Sequence, residues 1–237
     1  MTGRRDDRPP AGPLSPGGSG VIGAYPGSFN PPTHAHLAIV EAARAAHGLD
    51  RVDLVVSRRA LDKEDVVRPL LAHRLAVLEE VASTRPWLGV AVTDHQLLVD
   101  IAAGYDVLVV GGDKWHQLRD AHYYGSEEAR DEALARLPRL AVAPRPPWDT
   151  PPEITLDLDP AHGAASSTAA REGAVELMLP EAARFDRETG AWTDPERYEH
   201  WLASGGTTSW GGEAGLDGAS HGRADSGAVP DGGHGRG

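Results

Sequence analysis

Five short β-branched and aliphatic runs, separated by stretches of helical character, constrain this chain more than any other feature. They are Val21–Tyr25, Val52–Val56, Val90–Val92, Asp106–Val110 and Arg139–Ala143. In the Ala- and Leu-rich stretch Leu70–Ala82, Leu71, Leu75, Leu78 and Val81 recur every three or four positions, which predicts an amphipathic helix. Parallel strands require long crossovers, so strands alternating with helices predict a parallel sheet with helices on both faces, an α/β, Rossmann-like fold. Such sheets bind ligands beyond the carboxyl ends of their strands, where the chain order switches. Gly27, Ser57 and Gly111 each fall just after a strand end, so the motifs around them converge on one edge.

The chain has 237 residues, and both ends differ from its middle. Residues 1–19 carry four prolines and four glycines without an apolar run, and residues 205–237 hold twelve of the 28 glycines with almost no aliphatics. Such segments bury too little surface to offset their ordering entropy, so both are expected as disordered tails. The folded domain is expected at residues 20–185, followed by an extension over 186–204 with a short helix around Pro195–Leu202. A net charge of −12 argues against a nucleic-acid surface. With no cysteine there is no disulfide, thiolate metal site or cysteine nucleophile. No signal peptide or membrane-length apolar run is present, so a soluble cytoplasmic protein is the expectation.

The first strand runs into Gly27-Ser28-Phe29-Asn30-Pro31-Pro32-Thr33-His34-Ala35-His36-Leu37. Thr33 stands where a helix N-cap belongs, and an Ala-rich helical run follows. Gly27 reads as a site for an unusual backbone angle, and the prolines stiffen the approach. Helix N-termini present unpaired N–H groups and the positive end of a dipole, which suits a polyphosphate. Thr33 and His36, three apart, share one helical face, where an imidazole that donates or carries charge stabilises a transferring phosphoryl group. Downstream, Ala165-Ser166-Ser167-Thr168-Ala169-Ala170-Arg171 puts hydroxyls and an arginine at the opening of another helix. Such a run also serves as an ordinary cap.

The first segment resembles the (His/Thr)-x-Gly-His signature of the nucleotidyltransferase superfamily of α/β phosphodiesterases. Its Gly-x-Phe-x-Pro lead-in is most similar to nicotinate mononucleotide adenylyltransferases. Thr33 matches the first signature position and His36 the last, with Ala35 in place of the usual glycine. Residues 165–171 resemble the second signature, Ile-Ser-Ser-Thr-x-Ile-Arg, with alanines at both apolar positions. The resemblance covers about Val21 to Gly173. It implies transfer of AMP from ATP, with Mg²⁺ bridging phosphates, to the phosphate of a small acceptor, with release of pyrophosphate. A place in NAD biosynthesis would follow.

On that resemblance Thr33 and His36 are the catalytic pair. Gly27, Ser28 and Phe29 line the nucleotide. Ser166, Ser167, Thr168 and Arg171 hold the outer phosphates. Arg171 reads as a first-turn residue, where a cation opposes the helix dipole and a bound anion offsets the repulsion. Gly112 and Asp113, after the strongest strand, either line the ribose or form a simple left-handed turn and cap. From the basic stretch Arg58–Arg74, Lys63 or Arg68 is expected at a phosphate, whereas Arg74 is expected on its helix face, paired with an acid. Trp115 fits the core or the vicinity of the base. No protein metal site is expected. The acceptor stays open. The Ser-Tyr-Thr-x-x-Thr-Leu segment of the nicotinate enzymes is missing, and residues 93–100 read Thr-Asp-His-Gln-Leu-Leu-Val-Asp. Phosphopantetheine, cytidylyl transfer and a catalytically idle nucleotide-binding module are the alternatives.

Overall fold

The computed structural model describes residues 20–59, 68–159 and 166–206. Lys63, residues 1–19 and residues 207–237 lie outside the described residues. The strands are β1 (Ile22–Pro26), β2 (Arg51–Ser57), β3 (Leu88–Thr93), β4 (Val107–Gly111) and β5 (Arg139–Ala143). All pair in parallel, in the order β3-β2-β1-β4-β5. The chain therefore fills one side of β1 and then crosses to the other. This places the topological switch between β1 and β4, the crevice where such sheets take ligands.

Strand periodicity divides the core. Val107 and Val109 face a cluster with Val40 and Ala43 of helix α1 (His34–His47) and with Leu78 and Val81 of α2 (Leu71–Ser83). Leu108 and Val110 face the other way, towards Leu98 of α3 (Leu98–Ile101) and Leu118 of α4 (Gly112–Leu118). Helix α5 (Glu127–Leu134) begins at Ser126, whose side chain accepts from Ala129 N–H, and leads to β5. The strand and helix expectations coincide with observed elements. What placed them is the short, continuous Val- and Leu-rich runs, buried on both faces of the sheet, and the three-to-four spacing of α2.

Among the described residues three α-helices follow β5: α6 (Ser167–Arg171), α7 (Pro180–Thr189) and α8 (Pro195–Ala203). Val77 of α2 joins Met178, Phe185, Trp192 and Tyr198 in a second buried cluster. The ion pair Arg184–Glu80 joins α7 to α2, and Arg85–Glu181 joins α7 to the turn just after α2. Among the described residues no helix is long and apolar enough to cross a membrane.

Candidate active site

The β1–α1 turn brings Thr33 and His36 together. Thr33 is fully buried, with the extended backbone of an N-cap. Its N–H donates to Nδ1 of His36 at 3.0 Å, and its hydroxyl lies 2.8 Å from the same nitrogen. A nitrogen that accepts an N–H carries no proton, so the neutral ring holds its hydrogen on Nε2. Burial, with a smaller contribution from the positive charge of Arg145, lowers the His36 pKa from 6.5 to about 4. At neutral pH the ring is therefore an uncharged donor; of the two forms the sequence allowed, the cation is set aside.

Gly27 has an ordinary backbone angle, contrary to the sequence expectation; the left-handed residue of the turn is Phe29, at φ 45°. Gly27 is needed for space, since a Cβ there would stand 2.9 Å from the Phe29 ring. That ring is 1% exposed and packs edge-on against Tyr25 and His36. Phe29 thus supports the histidine from below, and its ring is not available to a ligand. Ser28 is exposed, and its carbonyl accepts from Arg74 at 3.0 Å.

Arg74 departs from the expected pairing with an acid. It is 7% exposed, it reaches under the turn to the Ser28 carbonyl, and its Nε has no partner. Burial lowers its pKa, with the nearby Tyr198 acting in the opposite direction. Arg68 pairs with Glu199 of α8.

Residues 166–171 divide their duties. Ser166 is the N-cap of α6, its Oγ accepting from Ala169 N–H at 3.0 Å. Ser167 Oγ donates to the Pro31 carbonyl at 2.8 Å. Arg171 donates to the Asn30 carbonyl and to Thr168 Oγ1. The two motifs, far apart in sequence, are thus hydrogen-bonded to each other. Helix α6 has only five residues, so Arg171 closes it instead of sitting in its first turn. The dipole argument for an anion therefore lapses at this residue.

On the other side of the crevice, Gly111 is the N-cap of α4 with φ −81°, so no left-handed turn is made there. A Cβ on Gly112 would meet Trp148 at 3.3 Å and Thr150 at 3.4 Å, so the glycine admits the chain that follows β5. Asp113, in the first turn of α4, pairs with Arg145 at 3.4 Å. Arg145 is 59% exposed and Trp148 is 44% exposed, with the Trp148 ring 5.0 Å from that of His116. The sequence reading missed Arg145 and Trp148. The available signal was an Arg-Pro-Pro-Trp run just past the C-terminal end of β5, on the edge where ligands bind. Trp115 packs partly into the cluster around Leu118.

The crevice therefore sets a neutral N–H donor and the N-terminus of α1 opposite an exposed guanidinium and an exposed indole. A family profile described as cytidylyltransferase-like matches residues 24–173, more than half the chain. The chain belongs to the cytidylyltransferase-like family. All described site residues named above fall within the cytidylyltransferase-like region, whereas α7, Trp192 and α8 lie beyond it. A probable nicotinate-nucleotide adenylyltransferase from Salinibacter ruber is 35% identical over 66 residues, which are 28% of this chain and 34% of that protein. The match thus spans about a third of that relative's length.

Proposed function

We propose that this protein transfers AMP from ATP to the phosphate of a small acceptor, with nicotinate mononucleotide the first choice. An acceptor phosphate oxygen forms the new bond to the α-phosphorus, the bond to the β-phosphate bridge breaks, and pyrophosphate leaves. The observation that carries this reading is His36 at the switch point, kept neutral by burial and by Arg145, with Thr33 N–H on Nδ1 leaving its proton on Nε2. A fixed donor of this kind stabilises charge on a phosphoryl group without needing to reorganise. The family membership and the nicotinate-nucleotide relative support the same chemistry.

In this reading no side chain acts as nucleophile, and catalysis comes from positioning and charge. His36 and the α1 N-terminus face the α- and β-phosphates. Ser167, Thr168 and Arg171 border the outer phosphates from the far side of the turn. Mg²⁺ enters with the triphosphate as part of the substrate, a hard ion on phosphate oxygens. The chain's own offering at the edge is N–H donors and a guanidinium, with Asp113 engaged by Arg145, a set that complements phosphate more than a cation. Arg145 suits the acceptor's anionic groups and Trp148 its ring.

Residues 93–100 form the end of β3 and lead into α3 without the Ser-Tyr-Thr segment, which keeps another phosphate ester in play. The deciding experiment is pyrophosphate release with ATP or CTP, Mg²⁺ and a panel of nicotinate mononucleotide, nicotinamide mononucleotide and phosphopantetheine. Release with ATP and nicotinate mononucleotide is expected. Release with another acceptor alone corrects the substrate. ATP binding without release from any acceptor would leave a nucleotide-binding module.

A further inference from the structure

The turn that carries His36 is unusually well tied. Arg74 of α2 holds the Ser28 carbonyl, Arg171 the Asn30 carbonyl, Ser167 the Pro31 carbonyl and Leu179 N–H the Pro32 carbonyl. One tie reaches a side chain: the indole Nε1–H of Trp192 donates to Asn30 Oδ1 at 2.7 Å, with both residues buried. Leu179 and Trp192 come from the segment beyond the family match.

Trp192 is itself held rigidly. Its backbone N–H donates to Asp186 Oδ1 at 2.7 Å, and Thr193 supplies two further hydrogen bonds to that buried carboxylate. Its ring packs on Phe185 at 5.7 Å. Gly190 closes α7 at φ 76°, and a Cβ there would approach the Asp194 carbonyl to 2.8 Å, so the chain turns tightly back toward Asn30. A phenylalanine would supply only a smaller ring here, and it would lack the N–H that the indole aims at the turn. The residue before Asn30 is Phe29, a bulky side chain in the left-handed region. Such a conformation persists only where the surroundings over-determine it, and it tends to occur where a site must be held in place.

We propose that Trp192 is a positioning residue for His36, its indole N–H fixing Asn30 so that the strained Phe29–Thr33 turn holds Thr33 against the histidine ring. The segment after the family region then completes the site instead of only covering α2. This role in catalysis rests on the nucleotidyl-transfer reading, but the positioning itself does not.

The test compares Trp192→Phe, which keeps an aromatic ring but removes the N–H together with part of the indole's volume, with Phe185→Leu, which loosens the same cluster and keeps the indole N–H. Two readouts are taken on the full chain: steady-state kinetics with ATP, Mg²⁺ and the active acceptor, and the titration midpoint of His36 by NMR. Trp192→Phe should lower kcat by about ten- to a hundredfold with KM for ATP unchanged, the size expected for a slight misplacement of a reacting group. It should also raise the His36 midpoint, because the Thr33 N–H contact that favours the unprotonated ring slackens. Phe185→Leu should lower the melting temperature and move both readouts less than Trp192→Phe does. An unchanged midpoint in folded Trp192→Phe, or an equal response in both variants, overturns the proposal. Should Trp192→Phe not fold, Asn30→Ala removes the acceptor instead, and the same shift in midpoint is required. If the wild-type protein releases no pyrophosphate, the midpoint still tests the positioning while the functional reading fails separately.

Discussion

The two sides of the crevice are built in opposite ways. On the β1–α1 side residues 29–33 of the turn are buried, its carbonyls are bonded by three other parts of the chain, and its histidine is locked in one tautomer. On the β4–β5 side, Arg145 and Trp148 are exposed on a loop after β5, with a single 3.4 Å ion pair to Asp113. A group that stabilises developing charge gains from being fixed in advance, since reorganisation would add to the barrier. A group that recognises an acceptor can stay solvated until the acceptor replaces the water. On the proposed function, the first side would carry the chemistry and the second the selection of the acceptor.

Substitutions on each side should therefore fail differently. His36→Ala, the largest expected effect, should lower kcat by about 10²–10³, the usual loss for one donor to a developing oxyanion. Unaltered turnover in a folded variant would take His36 out of the mechanism. Arg145→Gln should raise the acceptor KM by about ten- to a hundredfold, corresponding to about 1.5–3 kcal/mol for a hydrogen bond to a charged group. Affinity for ATP should be preserved, and the His36 midpoint should rise because a nearby positive charge is gone. A fall in kcat with acceptor KM unchanged would erase the division between the two sides.

Arg171→Gln tests a residue with a foot in each role. Calorimetry should show weaker ATP binding by about 1 kcal/mol or more, and the melting temperature of the free protein should drop because the Asn30 carbonyl loses its donor. A lower melting temperature with full ATP affinity would make Arg171 a tie of the turn alone. The smallest effect is expected from Ala35→Gly, which restores the usual signature residue. Ala35 is buried in the first turn of α1, so the change should cost about 0.5–1 kcal/mol of stability and leave kcat unaltered.

Much of this was legible in the sequence for identifiable reasons. The sheet could be read because strands such as β4 are unbroken runs of Val and Leu, buried on both faces, and because apolar residues recur at helical spacing in α2, both of which are local signals. The Thr33–His36 relation could be read because three residues make nearly one helical turn. Long-range acceptors are not written in a sequence. Arg74 looked like a surface cation because nothing near it announces a backbone carbonyl 46 residues away. Gly27 suggested a strained angle, but the constraint was the neighbouring Phe29 ring, and the strain had moved to that residue. Gly112 likewise answers to Trp148 and Thr150, which arrive only after β5 has been laid beside β4. Arg145 sits among prolines in a loop without periodicity, where pattern carries no information and only position on the sheet edge does.

The central claim is that His36 works as a neutral Nε2–H donor, and the direct measurement is its titration by NMR in the intact protein, with the tautomer read from the ring nitrogens. The account predicts a midpoint near 4 and a proton on Nε2 through the neutral range. Because the folded midpoint lies below the unfolded value of 6.5, the unfolded chain takes up the proton first on acidification. The contribution of His36 to stability is therefore complete above pH 6.5 and is lost as pH falls toward 4. A midpoint at or above 6.5, or a neutral ring protonated on Nδ1, would contradict the account.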